Sequence, residues 1–252
     1  METSDLVGLA ENNYLAAWRL LGSRAFGGTV VETEAVLFAC APCSVQYFNN
    51  AFVKPGVDPS DCIETATSFF ADRRTPFTFR FRSDDRFDPD HALESAGLTS
   101  GGSSPLMVAT SADIDAAVGD CDVRQVDEGA WHDHISTIAD GFGMPLDLVE
   151  SLIPAALSTS HEYAGFNAYS DGKVVSTSAL IVIDGVAGVY NVATPAAYRG
   201  RGFGGATTRA AVVEGLRRGC AYTTLQASEM GYSLYAEMGY RTVVEWRNYN
   251  GT

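Results

Sequence analysis

A glycine-rich segment at residues 198–205, Y-R-G-R-G-F-G-G, lies between a predicted strand and a predicted helix. Glycine lacks a Cβ, so this backbone can take positive φ values and bring its N–H groups close to an anion. Arg199 and Arg201 add two positive charges. The segment therefore predicts a phosphate-binding loop, and the alternative is a tight turn whose arginines lie in solvent.

Apolar residues spaced by three or four predict a helix from Phe203 to Arg218, which Gly219 ends. Its first turn has no acidic residue, so the unpaired N–H groups and the positive end of the dipole face what the loop encloses. The glycines also satisfy the dinucleotide pattern G-x-G-x-x-G. Residues 194–198 separate them from the predicted strand 186–193, however, and too little chain follows for a doubly wound domain.

The loop matches R/Q-x-x-G-x-G/A, with Arg199, Gly202 and Gly204 in the fixed positions. This pattern is the acetyl-coenzyme A signature of the Gcn5-related N-acetyltransferase superfamily, which the chain resembles. Residues 189–195 resemble the fourth strand of that family, which ends just before the loop.

Two further motifs follow in the order that the family has. Residues 225–228, L-Q-A-S, resemble its fifth strand, and residues 233–240, S-L-Y-A-E-M-G-Y, resemble its closing helix motif L-Y-x-x-x-G-F/Y. The resemblance covers roughly residues 122–252. One departure is Ser228, at a position that the family often fills with asparagine; a hydroxyl can still form a hydrogen bond but has fewer donors.

The resemblance implies an α+β fold like that of the acyl-coenzyme A N-acyltransferases, a mixed twisted sheet flanked by helices. It implies transfer of acetyl from acetyl-coenzyme A to an amine by direct attack in a ternary complex. Main-chain N–H groups would bind the pyrophosphate, and the fourth and fifth strands would diverge so that pantetheine pairs with a strand edge. It places these residues at the coenzyme: Val192, Thr194, Arg199, Gly200, Arg201, Gly202, Phe203, Gly204, Gly205, Ser228 and Tyr235.

Within this resemblance, Tyr235 is the candidate acid and the N–H of Val192 the candidate oxyanion donor. A phenol has a pKa of about 10 and so stays protonated at neutral pH, able to donate to a leaving thiolate. The alternative for Tyr235 is a ring packed in the helix face. No carboxylate lies on residues 186–194 to act as base. Glu162 or His161 could act directly or through water, or both could be polar residues at a strand edge.

A different class of function stays open, a non-catalytic module of the same fold that senses acyl-coenzyme A or a metabolite. Retention of Tyr235 favours the enzyme, whereas the lack of a clear base keeps the sensor possible. A net charge of −14 excludes nucleic acid as an expected partner and suits a cationic acceptor, a small amine or a basic peptide. A homodimer stays open.

We expect a cytoplasmic protein with no membrane segment. The sequence has no run of about 18 apolar residues, and its first five residues lack the features of a signal peptide.

Five dispersed cysteines do not form a disulfide framework. Cys40 and Cys43 have C-x-x-C spacing, but an isolated pair does not complete a zinc site. His132 and His134 lie in a predicted helix, where this spacing directs the rings to different faces, so we expect no metal.

The two halves of the chain align at a constant offset of 142 residues. Residues 48–51 fall on 190–193 and residues 92–98 fall on 234–240; two matches at one offset suggest duplication, and chance is the alternative. Residues 57–62, V-D-P-S-D-C, then fall on the loop without any glycine, and Leu93 replaces Tyr235. We therefore predict two tandem copies: residues 1–119, a degenerate domain that walls the acceptor cleft, and residues 120–252, the catalytic domain.

Periodicity and turn residues predict the remaining elements. The loop at residues 140–145 corresponds to a region that often lines the acceptor site in the family; Phe142 and Met144 either do so or cap the core. The other predicted strands are 35–41, 76–82, 106–110, 123–126, 161–169 and 174–183, and the other predicted helices are 58–73, 130–142 and 146–157.

Overall fold

The computed structural model describes residues 3–41, 43–83, 87–110, 112–114 and 120–252. Within these ranges, no helix has the length and apolar character that crossing a membrane requires. The helices are α1 (Thr3–Arg24), α2 (Ile63–Ala71), α3 (Asp90–Ser95), α4 (Trp131–Phe142), α5 (Leu146–Leu152), α6 (Phe203–Arg217) and α7 (Tyr232–Glu237). The strands are β1 (Thr29–Glu32), β2 (Val36–Cys40), β3 (Asn49–Val53), β4 (Phe77–Arg82), β5 (Thr99–Thr110), β6 (Asp122–Gln125), β7 (Tyr163–Ser170), β8 (Lys173–Ile183), β9 (Val186–Ala193), β10 (Tyr222–Gln226) and β11 (Arg241–Gly251).

The chain forms two compact units, and each combines segments that are distant in sequence. The C-terminal unit consists of Met1–Ala17 and Met107–Val243, and the N-terminal unit consists of Trp18–Leu106 and Val244–Thr252. The chain thus passes from one unit to the other within α1, β5 and β11. The predicted boundary at Gly119 lies outside the described residues, and the division into an inactive and a catalytic domain stays a prediction.

The C-terminal unit is built on a mixed sheet in the order β5-β10-β9-β8-β7-β6. Strands β6 to β9 form an antiparallel meander, and β10 joins β9 in parallel. A parallel neighbour requires a crossover connection, which α6 supplies. The predicted α+β class, a mixed sheet flanked by helices, is therefore confirmed.

Helices cover both faces of this sheet. On β9, Ala187 contacts Gly215 of α6, whereas the next residue, Gly188, contacts Asn13 of α1. Successive strand residues point to opposite faces, so α1 and α6 lie on opposite sides. On β7, Gly165 likewise contacts His134 of α4, while the next residue packs in the core cluster of α6. Helices α1 and α4 therefore share the face opposite α6.

The N-terminal unit repeats the same succession of elements. Strands β1 to β3 form an antiparallel meander, and β4 joins β3 in parallel after the crossover helix α2. The short helix α3 then corresponds to α7 at the predicted offset of 142 residues, and each is followed by a glycine with positive φ, Gly97 and Gly239. The topology thus agrees with the predicted duplication.

The last strand of each copy contributes to the other unit. Strand β5 follows α3 in the first copy, but its residues 107–110 lie beside β10 in the C-terminal unit. Strand β11 follows α7 in the second copy, but residues 246–251 pair with β4 in the N-terminal unit. Each unit therefore takes a strand from the other half of the sequence.

Most predicted elements form with small shifts in their ends. Strand β9 has the predicted bounds, and α6 ends one residue early at Arg217. Helix α5 ends at Leu152 rather than at residue 157, because Pro154 disfavours a helical conformation in the residue before it and cannot supply a helical N–H. The predicted helix 58–73 begins as a 3-10 turn at Pro59–Cys62 before α2.

Candidate active site

Strands β9 and β10 pair only over their first residues. Val186, Ala187 and Gly188 face Tyr222, Thr223 and Thr224, and the ladder ends there. The rest of β9 therefore presents an unpaired edge to a gap on the β10 side. An open strand edge of this kind can bind an extended ligand through main-chain hydrogen bonds.

A bulge lies in β9 beside this gap. The register with β8 shifts between Tyr190 and Ala193, and Asn191 has a φ of +50°. Thr177 Oγ1 donates to the Asn191 carbonyl at 3.0 Å, which fixes the bulged residue to β8. A bulge changes the direction of the residues around it. It immediately precedes Val192, the predicted oxyanion donor.

The glycine loop has the backbone that its sequence predicts. Gly200 and Gly202 have φ values of +72° and +83°, a region that residues with a Cβ avoid. Gly202 is the N-cap of α6, no side chain in the described structure caps that end, and the first turn has no acidic residue. The N-terminal N–H groups of α6 are thus open to an anion.

The loop and the gap adjoin. A Cβ on Gly204 would lie 3.3 Å from Thr194 Oγ1, and a Cβ on Gly205 would lie 3.2 Å from the Leu234 side chain of α7. Thr194 Oγ1 also shares a 2.8 Å hydrogen bond with Ser176 Oγ of β8. The start of α6 therefore packs closely against the end of β9, so one ligand could occupy both features.

The two loop arginines behave differently. Arg199 donates through Nε to the Thr194 carbonyl at 2.9 Å and through an NH2 group to the Gly141 carbonyl at 3.0 Å, which braces the loop against β9 and the end of α4. A phosphate contact of its side chain stays a prediction. Arg201 is exposed, and its guanidinium carbon lies 5.0 Å from the centre of the Phe203 ring. Its charge is available at the open end of α6.

Tyr235 is buried in the core of the C-terminal unit, with only 7% of its surface exposed. Burial raises the pKa of its phenol to about 12, against a smaller opposing effect of the neighbouring Thr208 hydroxyl. Thr208 Oγ1 in turn donates to the Gly204 carbonyl at 2.8 Å. Tyr235 therefore packs beside α6 as a phenol that stays protonated at neutral pH, and its role as the acid stays a prediction.

Ser228 lies in the turn that precedes α7. Its Oγ accepts a hydrogen bond from the Gly231 N–H at 3.2 Å, and the residue is exposed. The hydroxyl thus helps to shape the turn before α7, and its contact with coenzyme stays a prediction.

The structure does not bring the candidate bases to the gap. Glu162 is exposed just before β7, where Ser160 Oγ lies 3.5 Å from Glu162 Oε2. The carbonyl of His161 accepts from Arg218, just beyond the last residue of α6. The glycine loop is at the other end of this 15-residue helix, about 22 Å away at 1.5 Å per residue. Neither residue is placed to take a proton from an amine in the gap.

A buried polar chain that sequence patterns did not reveal leads from α4 to the bulge. His134 is fully buried; its Nδ1 lies 2.7 Å from Asn167 Oδ1 and its Nε2 lies 3.0 Å from the Tyr163 hydroxyl. Burial lowers the pKa of His134 to about 4, so the ring is neutral at pH 7. Nδ1 then donates to the amide oxygen and Nε2 accepts from the phenol. The Tyr163 oxygen lies beside the side chain of Asn191, and burial raises the pKa of this phenol.

Helix α1 also reaches the gap, which the sequence did not indicate. Asn13 Nδ2 donates to the carbonyls of Ile181 and Val186 at 3.2 and 3.0 Å, and its Oδ1 accepts from the Tyr190 hydroxyl at 2.6 Å. The Tyr14 hydroxyl donates to Gln226 Oε1 at 3.0 Å. Tyr190 is on β9 and Gln226 is on β10, so α1 contacts both strands that border the gap.

The histidine pair and the cysteines agree with packing or surface roles. His132 is exposed and lies 3.8 Å from Glu150, on a different face of α4 from His134, as predicted. All five cysteines are free, and burial raises the pKa of the Cys40 and Cys43 thiols; Pro42 between them lies outside the described residues. No group of three or more metal-binding side chains occurs among the residues that the structure describes.

Comparison with known proteins agrees with this site. The model of the acetyltransferase (GNAT) family matches residues 129–240, the range that contains α4, the gap, the glycine loop and Tyr235. No curated protein matches the chain. Membership of this family supports acyltransferase activity and the use of acetyl-coenzyme A in general.

Solved structures share the fold across almost the whole chain. A GCN5-related N-acetyltransferase from Kribbella flavida is similar with a TM-score of 0.70 and 18% identity, covering 94% of each chain. Another from Sphaerobacter thermophilus has a TM-score of 0.63 and 15% identity, over 86% of this chain and 76% of its own. A tandem GNAT protein from the clavulanic acid biosynthesis pathway has a TM-score of 0.55 and 11% identity, over 88% and 81%. The chain thus has a tandem GNAT fold, and residues 129–240 belong to the acetyltransferase (GNAT) family.

Proposed function

We propose that this chain transfers the acetyl group of acetyl-coenzyme A to an amine within a ternary complex. The observation that carries the proposal is the gap between β9 and β10, which opens next to the uncapped N-terminus of α6. Open N–H groups suit a pyrophosphate, and an unpaired strand edge suits the amide groups of pantetheine. The residues present therefore fit the coenzyme.

The chain supplies two of the groups that the reaction requires. Bound acetyl-coenzyme A contributes an activated thioester. The Val192 N–H would donate to the thioester oxygen as negative charge develops there. The Tyr235 hydroxyl would give its proton to the departing sulfur as the amine nitrogen bonds to the carbonyl carbon and the carbon–sulfur bond breaks. Ordered water would take the proton that the amine loses, since neither of the two strands that border the gap carries a carboxylate or a histidine.

The acceptor is expected on the face that carries α1 and α4. A cavity of about 600 Å³ opens there between α4, α5 and the turn after α5, and it is lined by Glu128 and Glu150 beside the Trp131 ring. Trp131 packs on Tyr163, with ring centres 5.7 Å apart, and Tyr163 lies beside Asn191 in the bulge. Two carboxylates and an aromatic ring suit a cationic acceptor, a small amine or a basic peptide.

The N-terminal unit is proposed to bind no coenzyme at the corresponding place. Strand β3 pairs with β4 along residues 50–52 of its five residues, so the two strands leave little free edge. Asp58 Oδ1 accepts from the Ser60 N–H at 2.9 Å ahead of α2. A carboxylate thus caps the 3-10 turn that leads into α2, whereas no side chain of the described structure caps the start of α6.

Calorimetry with acetyl-coenzyme A and a thiol-release assay with small amines and basic peptides test the proposal. We expect saturable binding, and release of thiol with at least one acceptor. The missing base favours one rival, a module that binds acyl-coenzyme A without turnover. Binding without thiol release on every acceptor would support that rival, and no binding at all would refute both.

A further inference from the structure

Two buried amide groups border the gap with their N–H donors unused. Asn191 Nδ2 on β9 and Gln226 Nε2 on β10 are both inaccessible to solvent, and neither forms a hydrogen bond of acceptable geometry with the part of the chain that the structure describes. Leaving a buried donor unsatisfied costs about 1–3 kcal/mol, and buried polar groups in native structures are usually paired. A ligand that accepts hydrogen bonds here would remove that cost.

The two donors lie at the same level on the two strands. Tyr222 is opposite Val186 where β9 and β10 still pair. Parallel strands rise by equal steps, so Gln226, four residues further along, is level with Tyr190. The bulge after Tyr190 inserts an extra residue and brings Asn191 to that level. The two side chains therefore start from the same level of the two strands that border the gap.

Both amides also lie on the face opposite α6. Gln226 Oε1 accepts from Tyr14 of α1, and the Asn191 side chain lies beside the Tyr163 hydroxyl, which is hydrogen-bonded to His134 of α4. Helices α1 and α4 share that face. Because Tyr14 occupies the amide oxygen of Gln226, the nitrogen is left as the group that a ligand would meet.

The Asn191 amide is held without being satisfied. It is close enough to the Tyr163 oxygen to affect the pKa of that phenol, but its Nδ2 forms no hydrogen bond of acceptable geometry. The Tyr163 hydroxyl donates its own proton to His134 Nε2. Neither Asn191 nor Gln226 carries a charge, so the pair would recognise an oxygen by hydrogen bonding rather than by ion pairing.

We propose that Asn191 Nδ2 and Gln226 Nε2 bind an oxygen of the acceptor, and that the acceptor is therefore an amine with a carbonyl group on the adjacent carbon, as in an amino acid amide or a peptide N-terminus. This inference rests on the proposed acetyl transfer, which defines the acceptor. Asn191 directly precedes Val192, the proposed oxyanion donor, so holding the carbonyl would place the neighbouring amine beside the thioester. A site built to hydrogen-bond a substrate oxygen discriminates against analogues that lack it.

The test compares two ligands of similar shape, alaninamide and sec-butylamine, which lacks the carbonyl. Calorimetry with the full chain and unacylated coenzyme A measures both affinities without turnover. We expect alaninamide to bind about tenfold more tightly, as one or two net hydrogen bonds imply. Alanine, measured alongside, shows whether a carboxylate oxygen serves as well as an amide oxygen.

Gln226→Glu keeps the oxygen that Tyr14 contacts and replaces the NH2 donor by an acceptor. We expect this variant, and Asn191→Asp, to remove the preference for alaninamide over sec-butylamine. The matched control is Gln125→Glu on β6, an exposed glutamine outside the gap, which should keep the preference. Equal binding of the two ligands by the natural chain, or equal weakening of both ligands in Gln226→Glu, would overturn the inference.

Thiol release by the same proteins separates this inference from the proposed function. If thiol is released with sec-butylamine at the same kcat/KM as with alaninamide, the transferase activity is supported and the amide pair is refuted as a recognition site. If alaninamide binds preferentially but no thiol is released, the recognition site is supported and the transferase activity is refuted.

Discussion

Gly202 and Gly219 have nearly the same backbone conformation at the two ends of α6, with φ values of +83° and +85°. A Cβ at either position would meet nothing within 4 Å. Alanine at either site should therefore cost a similar strain, on the order of 1 kcal/mol, in urea unfolding. We expect only Gly202→Ala to weaken acetyl-coenzyme A binding, by about tenfold or more, because only this methyl group would crowd the N–H groups proposed to bind phosphate. Equal affinity of the two variants in calorimetry would contradict the proposed phosphate site.

Tyr235 and Tyr240 form a second matched pair. Both phenols are buried, their ring centres are 6.1 Å apart, and the Tyr240 hydroxyl is occupied by Thr223 at 2.7 Å. Tyr235→Phe should lower kcat by about 10²-fold, the lower end for general-acid catalysis, with little change in coenzyme affinity. Tyr240→Phe should affect stability and leave kcat nearly unchanged. A similar fall of kcat in both variants would assign Tyr235 to packing alone.

His134 makes the free energy of unfolding depend on pH. Its pKa is about 4 in the folded chain against a reference value of 6.5, so the unfolded chain binds a proton between these values and the folded chain does not. Stability should fall as the pH drops from 6.5 towards 4, by about 3 kcal/mol for a shift of this size. Hydrogen bonds, chiefly from arginines, lower the pKa of Glu32 and of Glu214 to about 2. The stability that these two carboxylates contribute is therefore lost only below pH 4.5.

Urea unfolding across this range measures the effect of His134, and NMR of the ring identifies its source. The ring signal of His134 should stay that of a neutral imidazole at pH 5. His132→Gln, which removes the exposed histidine of the same helix, should leave the slope of stability against pH almost unchanged. A His134 ring that titrates near pH 6.5 would refute this account.

At the scale of elements, Asn13 connects α1 to both β8 and β9. Asn13 is fully buried and makes three hydrogen bonds, whereas its neighbour Asn12 makes one exposed bond, to Asp184 at 2.7 Å. Asn13→Ala should cost about 3 kcal/mol of unfolding free energy because it leaves buried polar groups unpaired, and Asn12→Ala should cost less than about 1 kcal/mol. Asn13→Ala should also lower acetyl transfer, since the Tyr190 hydroxyl beside the gap loses its hydrogen bond to Asn13. Equal, small losses in both variants would show that α1 is only loosely attached.

The elements that could be predicted are those with a local cause. The glycines of the loop, the periodicity of α6 and the bounds of β9 follow from residues close in sequence, and all three appear as expected. The contacts of α1 could not be predicted, because Asn13 and Tyr190 are 177 residues apart and no periodic pattern connects them. The hydrogen-bond partners of His134 could not be predicted either, because they depend on which residues of β7 the helix α4 covers. Glu162 was a candidate base on strand polarity alone, and the strand places it near the wrong end of α6.

At the scale of the whole molecule, the repeat indicated two copies but not the exchange of strands between units. Hydrophobic patterns specify that residues 106–110 form a strand; they do not specify its neighbour, since β-strands of either copy offer similar edges. The offset of 142 residues aligns α3 with α7, and the chain then sends β5 to the C-terminal unit and part of β11 to the N-terminal unit. A division of the sequence by copies therefore differs from a division of the structure by packing.

This difference predicts the behaviour of fragments cut at the boundary that the sequence suggested. Fragment 120–252 lacks α1 and the part of β5 that contributes Met107 and Ala109, both fully or almost fully buried, to the cluster around Tyr235. Fragment 1–119 lacks Trp246 of β11, which is completely buried in the N-terminal unit. Each large buried side chain contributes about 1.5–3 kcal/mol, which is a substantial part of the roughly 5–15 kcal/mol that stabilises a domain. We expect neither fragment to unfold cooperatively alone, and we expect co-expression of the two to restore a complex that binds acetyl-coenzyme A. Cooperative unfolding of fragment 120–252 by itself, with the coenzyme affinity of the full chain, would show that the exchanged segments are dispensable.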